Sequence, residues 1–503
     1  MSGGYVVGVD LGTSTVKAAV YTLDGTSVCT ASEAVPLVRR SDGAVEQDLD
    51  GFFTTAATAV RRCLGSGAIE PAAVVGLAFA GQMAGMGLVD EHHRPVAPYD
   101  SWLDTRCAPE VDDLAARAGE RIARTSGCAP TISIGPKLVW WRRHQPRLCE
   151  RAASMVTATS YVSGRAVGLR GDGAFVDATH LHFTAMADLA AGGWDAGLVD
   201  LCGVDPRLLP RVLASTDVVG VLDADAAAAF GLRAGVAVSA GCGDTAAGAL
   251  GSGVTEPGQA FDSAGTAAVF GGCLDTFVPD VGGTLMIMRS PLSGRFYGLG
   301  YVAGAGQVVE WLGATFGRAE PDGPVDLGAV LALAAQARPG SDGVLVSPHF
   351  SGRVSPVAAA MRGSLLGVTP ATTPATLVRA ALESVAFEYA GYLDVLTALA
   401  PGSPVTSVVG TGGGSRSAVW NQIKADVLQV PYVGAGEVDA GTRGAAALAA
   451  VSAGCDPWAA PVDQTQTWAP DGAAADVLRR TRARYRRWTE ALVDLYARDL
   501  TTP

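Results

Sequence analysis

The stretch YVVGVDLGTSTVKAAVYTLDG, residues 5–25, decides how the rest of the chain is read. Tyr5–Asp10 is a run of β-formers that ends in a carboxylate. Residues 11–15, LGTST, form a turn of small and hydroxyl residues, and Val16–Leu23 is a second strand. Asp24-Gly25 is a hairpin signal, and Thr26–Ala31 is a third strand. A turn with exposed backbone N–H groups and hydroxyls can wrap phosphate oxygens. Asp10 at its entrance can hold Mg²⁺ directly or through water, because that ion takes a few carboxylates together with waters and phosphates. Taken alone, the segment reads equally as an ordinary hairpin with a capped turn.

Downstream of it, residues 50–64 have helical composition. A similar passage returns later: a short strand at Gln259–Asp262, a small-residue turn SAGTA at 263–267, a strand at Ala268–Phe270 and a third apolar run at Thr284–Met288. Both passages set an Asp two or three residues before Gly-Thr, a weak internal repeat. It predicts two domains with the same hairpin core, 1–250 and 251–503. GSGVTEPG supplies the Gly and Pro of a boundary near residues 245–258. Thr373–Leu396 reads as a long helix with Pro374 in its first turn.

Two further turns could carry chemistry. In SAGCGDTAAG, residues 239–248, the strand Val236–Ala240 leads to Asp244 and Thr245, which open a helical run. Asp244 there is either a plain helix cap or a placed reactive carboxylate. Gly241, Gly243 and Ala246, with Asp262 about 20 residues on, also match a short dinucleotide fingerprint, so an NAD-dependent oxidoreductase is one rival reading. In VVGTGGGSRS, residues 408–417, a strand enters a glycine loop ahead of a helix from Trp420 to Leu428. Bare glycine backbone lets a flat ligand lie close.

Composition removes other classes. The 503 residues are 49% hydrophobic and 17% charged, as in a well-buried globular protein of about two domains. A net charge of −12 argues against nucleic acid as a partner. The basic run Arg479–Arg487 reads as the solvated side of a helix, with Val477, Thr481, Tyr485, Trp488, Leu492 and Leu495 on the other face. Nine scattered cysteines without a CxxC pair point to a reduced, cytoplasmic protein. The most apolar stretch, Val74–Val89, contains Gln82 and glycines and is a poor membrane span. No Walker A, HExxH or other metal-ligand spacing occurs. His180 and His182 would share a face on a strand and are expected to be structural or substrate-adjacent. His92-His93 sits in a polar turn and is expected to be solvated.

Five segments in order, from Tyr5 to about Gly454, resemble the FGGY carbohydrate kinases: VVGVDLGTSTVKAAVYTLDG; GQMAGMGLVD with APYDSWLDTR; GCGDTAAGALGSG; HFSGRVSPVAAAMRGSLLGV, which leads to the helix with Glu383; and GTGGGSRSAVWNQIKADVLQVPYV. The resemblance implies an α/β fold of two ribonuclease H-like, actin-like ATPase domains with ligands in the cleft between them. It implies ATP and Mg²⁺, a small sugar or polyol substrate, and Asp244 as the base that takes the proton of a sugar hydroxyl. Asp10, with Asp244, would hold the metal. Thr13, Ser14, Thr15 and Lys17 would lie near the phosphates, facing Gly265 and Thr266. Gly306, Glu310, Gly413, Gly414 and Ser417 would lie near the nucleoside. Gln82, Met83, Ala84, Trp102, Asp104 and Arg106 would face the sugar. Within the family, xylulose kinases are the most similar subgroup, yet Ala84 stands where their pattern has His, and Met83 replaces the Arg of glycerol kinases. A non-catalytic actin-like ATP-binding regulator is the second rival reading, and a homodimer is left open.

Overall fold

The computed structural model describes residues 4–499 apart from 66, 68, 293, 317–324, 437–438 and 456–463. Two seven-stranded sheets organise it. The first runs Val218–Val221, Ala237–Ser239, Val74–Gly81, Tyr5–Leu11, Thr15–Thr22, Ser27–Ala34, with Cys242–Gly243 also paired to Val74–Gly81. The second runs Met286–Arg289, Phe296–Val302, Ala268–Leu274, Gln259–Ala264, Ser407–Thr411, Tyr432–Ala435, Gln464–Trp468. In both, antiparallel hairpin strands adjoin a parallel pair: Tyr5–Leu11 beside Val74–Gly81, and Gln259–Ala264 beside Ser407–Thr411. The weak repeat is thus a duplicated topology, and the fold is the expected pair of ribonuclease H-like, actin-like units.

The third hairpin strand of the second unit differs from the sequence reading. It is Phe296–Val302, and Met286–Arg289 lies beyond it at the edge. Glycines masked that strand. A Cβ on Gly298 would meet Leu396 at 2.7 Å and one on Gly300 would meet Tyr392 at 2.3 Å, so both positions make room for the long helix Pro374–Leu399. Thr373 caps that helix through the Thr376 N–H, and Pro374 stands at its start.

Period-two alternation decides what each face of the first sheet does. Val7, Val9, Leu11, Val16, Ala18, Val20, Leu77 and Phe79 enter one core. Val6, Ala19, Tyr21, Ala78 and Ala80 enter another, shared with the helices Asp244–Gly251 and Ala440–Ser452. The second of these helices, though late in the chain, lies on the first sheet. A Cβ on Gly8 would come 2.0 Å from the Thr442 carbonyl, and one on Gly76 2.6 Å from that of Ala449. The two helices also touch backbone to backbone, with Gly251 against the Ala440 carbonyl and Gly444 against that of Ala247. Phe261, Cys273, Met288, Tyr297 and Leu299 of the second sheet close the same core from the far side.

Two smaller expectations change. His93 is buried, stacked on Tyr161 with ring centroids 5.2 Å apart. Asp90 accepts the His92 and Arg94 N–H groups, and the turn, with φ 60° at His93, rolls that ring inward. His180 and His182 sit on a 3₁₀ turn, Ala178–Phe183, and not on a strand. On the C-terminal helix Gly472–Asp499, Thr481, Tyr485 and Leu492 are buried as read, whereas Leu495 is exposed. Among the described residues no helix is long and apolar enough to cross a membrane.

Candidate active site

The same alternation that builds the core delivers the site. Val6 and Gly8 lie under the Ala440–Ser452 helix, and Asp10 follows on their face where that helix begins. Lys17 is the direct cross-strand neighbour of Asp10. Its ammonium donates to Asp439 Oδ2 at 2.6 Å, and Asp439 Oδ1 accepts the Thr442 N–H, capping the helix. A Cβ on Gly441 would sit 2.8 Å from Asp10 Oδ2, so the glycine leaves room for the carboxylate there. Asp244 opens the neighbouring helix. Its Oδ1 accepts the N–H of Thr245 at 2.6 Å and the Thr245 hydroxyl at 3.2 Å; its Oδ2 receives no hydrogen bond among the described residues.

These groups line a cleft of about 920 Å³ between the two sheets. Ser263, Thr411, Gly412, Gly413, Arg416, Gln466 and Trp468 form the opposite wall. Three carboxylates therefore share one low-dielectric space. Burial first, then Asp244 and Asp439, push the Asp10 carboxyl up to about 8, with Lys17 pulling the other way. Burial also raises Asp244 above the ordinary carboxylate range, against the Thr245 hydrogen bonds and the nearby His180. Asp10 Oδ1 is buried without a partner. Among the described residues no three ligating side chains form a cage of their own. An orphaned carboxylate oxygen among like charges, with room for water and phosphate, fits a Mg²⁺ site of the open kind.

The remaining expected residues fall in several places. Gln82 is buried, and its amide is satisfied by Gln47 Oε1 at 2.8 Å and the Ser101 hydroxyl at 3.3 Å. Gln47 in turn donates to the Thr13 carbonyl, and Trp102 Nε1 donates to the Thr13 hydroxyl, so the first turn and the 82–102 region are tied together. Ser14 is exposed and Thr15 half-buried in that turn. Met83 packs on the backbone just before Asp244: a Cβ on Gly243 would meet its sulfur at 2.4 Å. Ala84 is buried with φ 62°. Asp104 and Arg106 pair with each other. The guanidinium also reaches Asp100 and Glu46 and lies over Trp140, so its charge is neutralised within the protein.

On the second unit, Gly265 and Thr266 are exposed, and Thr266 accepts the Gly306 N–H at the start of helix Ala305–Phe316. Glu310 is exposed on that helix. Gly414 is buried against Ala264 and Trp420, and Ser417 caps helix Ala418–Leu428. The dinucleotide fingerprint is overturned. Asp262 is fully buried, held by Lys424 Nζ at 2.5 Å and by the hydroxyls of Tyr432 and Tyr389, each at 2.8 Å, and cannot reach a ribose. The repeat explains why. Asp10 stands two residues before its glycine and Asp262 three, and a slip of one residue turns a side chain to the other face of a strand.

Comparison with known proteins agrees with the fold. Residues 5–251 match the N-terminal domain of the FGGY family of carbohydrate kinases, and residues 261–453 match its C-terminal domain. A xylulose kinase of Bacillus subtilis is 26% identical over 453 residues, covering 90% of this chain and 88% of its own. A glycerol kinase of Trichlorobacter lovleyi is 29% identical over 503 residues, with 95% of each chain covered. A solved structure of a xyloylose kinase from Brucella ovis superposes with a TM-score of 0.88 at 29% identity, over 98% of this chain and 100% of the other. A regulator without catalysis is thereby set aside, and this chain belongs to the FGGY family of carbohydrate kinases.

Proposed function

We propose that the protein transfers the γ-phosphoryl group of ATP to a hydroxyl of a ketose, or of a related polyol or sugar acid, with Asp244 as general base. The observation that carries this reading is the carboxylate trio at the mouths of two helices, with Asp439 engaged by Lys17 and the Thr442 N–H while Asp244 Oδ2 and Asp10 Oδ1 receive no hydrogen bond among the described residues. Its raised pKa favours proton uptake over a fully solvated aspartate. Phosphoryl transfer needs positioning and charge neutralisation more than covalent help. Lys17 and the 11–15 turn supply the first lobe's phosphate contacts, and the 263–267 turn faces them from the second. The 412–417 loop, with Gly306 and Glu310 nearby in the same unit, is where the nucleoside would lie. Asp10, with Asp244, would hold Mg²⁺ through carboxylate oxygens and water. When bound, the ion neutralises charge on the transferring phosphate oxygens.

Ala84 bears on the substrate. A methyl group can neither donate nor accept a hydrogen bond, so the corner it occupies lacks the imidazole of the xylulose-kinase pattern. D-Xylulose is therefore expected to be a poorer substrate than the best in a screen of pentuloses, hexuloses, polyols and aldonates, by roughly 10- to 100-fold in kcat/KM.

Asp244→Asn tests the base. Binding of sugar and ATP, followed by calorimetry, should persist while kcat falls by roughly 10²–10⁴. A variant with near-normal turnover at neutral pH would refute the assignment.

A further inference from the structure

Among the described residues, fourteen buried side-chain polar atoms lack a hydrogen-bond partner. Three of them, Asp10 Oδ1, the Tyr99 hydroxyl and His180 Nε2, belong to groups that feel the charge of Asp244. Buried polar groups are normally paired, so three orphans around one carboxylate call for a common ligand. Asp10 is accounted for by the metal. Tyr99 and His180 are not.

His180 is held in one orientation. The ring is fully buried, and its Nδ1 faces Asp177 Oδ2 at 2.6 Å, itself fully buried. Asp177 also accepts the Thr179 N–H at 3.0 Å, and the Thr179 hydroxyl accepts the Gly243 N–H at 2.9 Å. The turn that carries His180 is thus stitched to the residue preceding Asp244. The carboxylate at Nδ1 fixes the tautomer and orientation of the ring. Burial disfavours the imidazolium, but Asp177 and then Asp244 outweigh it and raise the ring above the ordinary histidine value. The backbone of Gln82 adjoins the ring without hydrogen-bond geometry.

Tyr99 belongs to a different element, the short strand Tyr99–Asp100. A Cβ on Gly85 would lie 2.3 Å from its hydroxyl, so that hydroxyl rests against the backbone next to Ala84. It adjoins the Ala158 backbone, again without hydrogen-bond geometry. The amide of Gln82, by contrast, is already bonded within the protein.

We propose that His180 Nε2 and the Tyr99 hydroxyl are specificity-determining groups that bind two oxygens of the carbohydrate beside the hydroxyl facing Asp244. The proposal rests on the assignment of Asp244 as base. The ligand class is a polyhydroxy chain with acceptor oxygens, a carbonyl or hydroxyls, on carbons near the reacting one. His180 and Tyr99 return polar groups to the pocket that Ala84 leaves apolar.

The test is a cycle of D-xylulose and its 1-, 3- and 4-deoxy analogues against His180→Asn and Tyr99→Phe. Removing a bound oxygen from the substrate should lower wild-type kcat/KM by roughly 10- to 100-fold. In each variant that loss should shrink to about threefold or less at one carbon, a different one for each variant, and stay whole at the others, with KM for ATP unchanged. Losses that multiply at every carbon would show that neither side chain touches the sugar. Should His180→Asn fail to fold, the wild type still decides. In protein labelled with ¹⁵N at its six histidines, D-xylulose without nucleotide should shift the Nε2 signal of the ring whose Nδ1 proton is bonded to Asp177. An unmoved signal at saturating sugar overturns the proposal. Turnover retained in Asp244→Asn would count against the base, whereas multiplicative losses in a working kinase count against His180 and Tyr99 alone.

Discussion

Asp10→Asn probes the carboxylate trio through stability and needs no substrate. In the metal-free protein the Asp10 carboxyl stands at about 8 against an ordinary 3.8, through burial first and then Asp244 and Asp439. The folded state therefore keeps a proton that the unfolded chain has released. Stability is whole below about pH 3.8 and falls as pH rises, by about 1.4 kcal/mol per pH unit, until it levels off above pH 8. The ceiling over that window is roughly 6 kcal/mol. Rearrangement of the carboxylates and counter-ion uptake reduce the observable part to about 2–3 kcal/mol. Asn has the shape of the protonated acid and cannot ionise, so the variant escapes the penalty. Thermal melts in chelator should give nearly equal midpoints near pH 4.5 and a variant advantage of roughly 4–10 °C at pH 8. Millimolar Mg²⁺ should then stabilise the wild type and leave the variant almost unmoved. A variant no more stable than the wild type at pH 8, or Mg²⁺ raising both midpoints equally, would refute the reasoning.

Two further outcomes follow from the packing. Ala84→His should raise the ratio of kcat/KM for D-xylulose over the best substrate by about tenfold or more, because His tolerates the positive φ of that position and restores a polar group; a wild type that already prefers D-xylulose would remove the basis for this. Gly8→Ala should cost about 1–3 kcal/mol or more in denaturant unfolding and lower kcat, because its Cβ would meet helix backbone at 2.0 and 2.6 Å and displace the helix capped by Asp439; unchanged stability and turnover would show that the helix can yield.

Local pattern made the hairpins legible. Tyr5–Asp10 and Val16–Leu23 announce themselves through β-branched runs around a polar turn, and Asp244 through a strand that stops at a helix start. Phe296–Val302 was hidden because the glycines that admit Leu396 and Tyr392 also dilute its strand signal. Asp439 carried no signal at all. It lies more than four hundred residues from Lys17, in no motif, and only the folding of the Ala440–Ser452 helix onto the first sheet brings the two together. His180 was visible as a histidine but not as a ring oriented by Asp177, a contact that forms only once the 3₁₀ turn folds. Sequence spacing likewise could not show that Arg106 is neutralised by three carboxylates.

The two helices that meet backbone to backbone carry Asp244 at the start of one and Asp439 at the cap of the other. The carboxylates proposed to act at the phosphoryl end are therefore anchored to an Ala/Gly seam in which a larger residue at Gly251 or Gly444 collides. Ala84, Tyr99 and His180 hang instead from turns and a short strand of the first unit, with side chains that can change without disturbing that seam. On the proposed roles, the architecture separates the phosphate end of the reaction from the sugar end. On that division, the carbohydrate can be exchanged by altering positions on the sugar side while the seam is kept, and relatives named for xylulose and for glycerol both resemble this one chain.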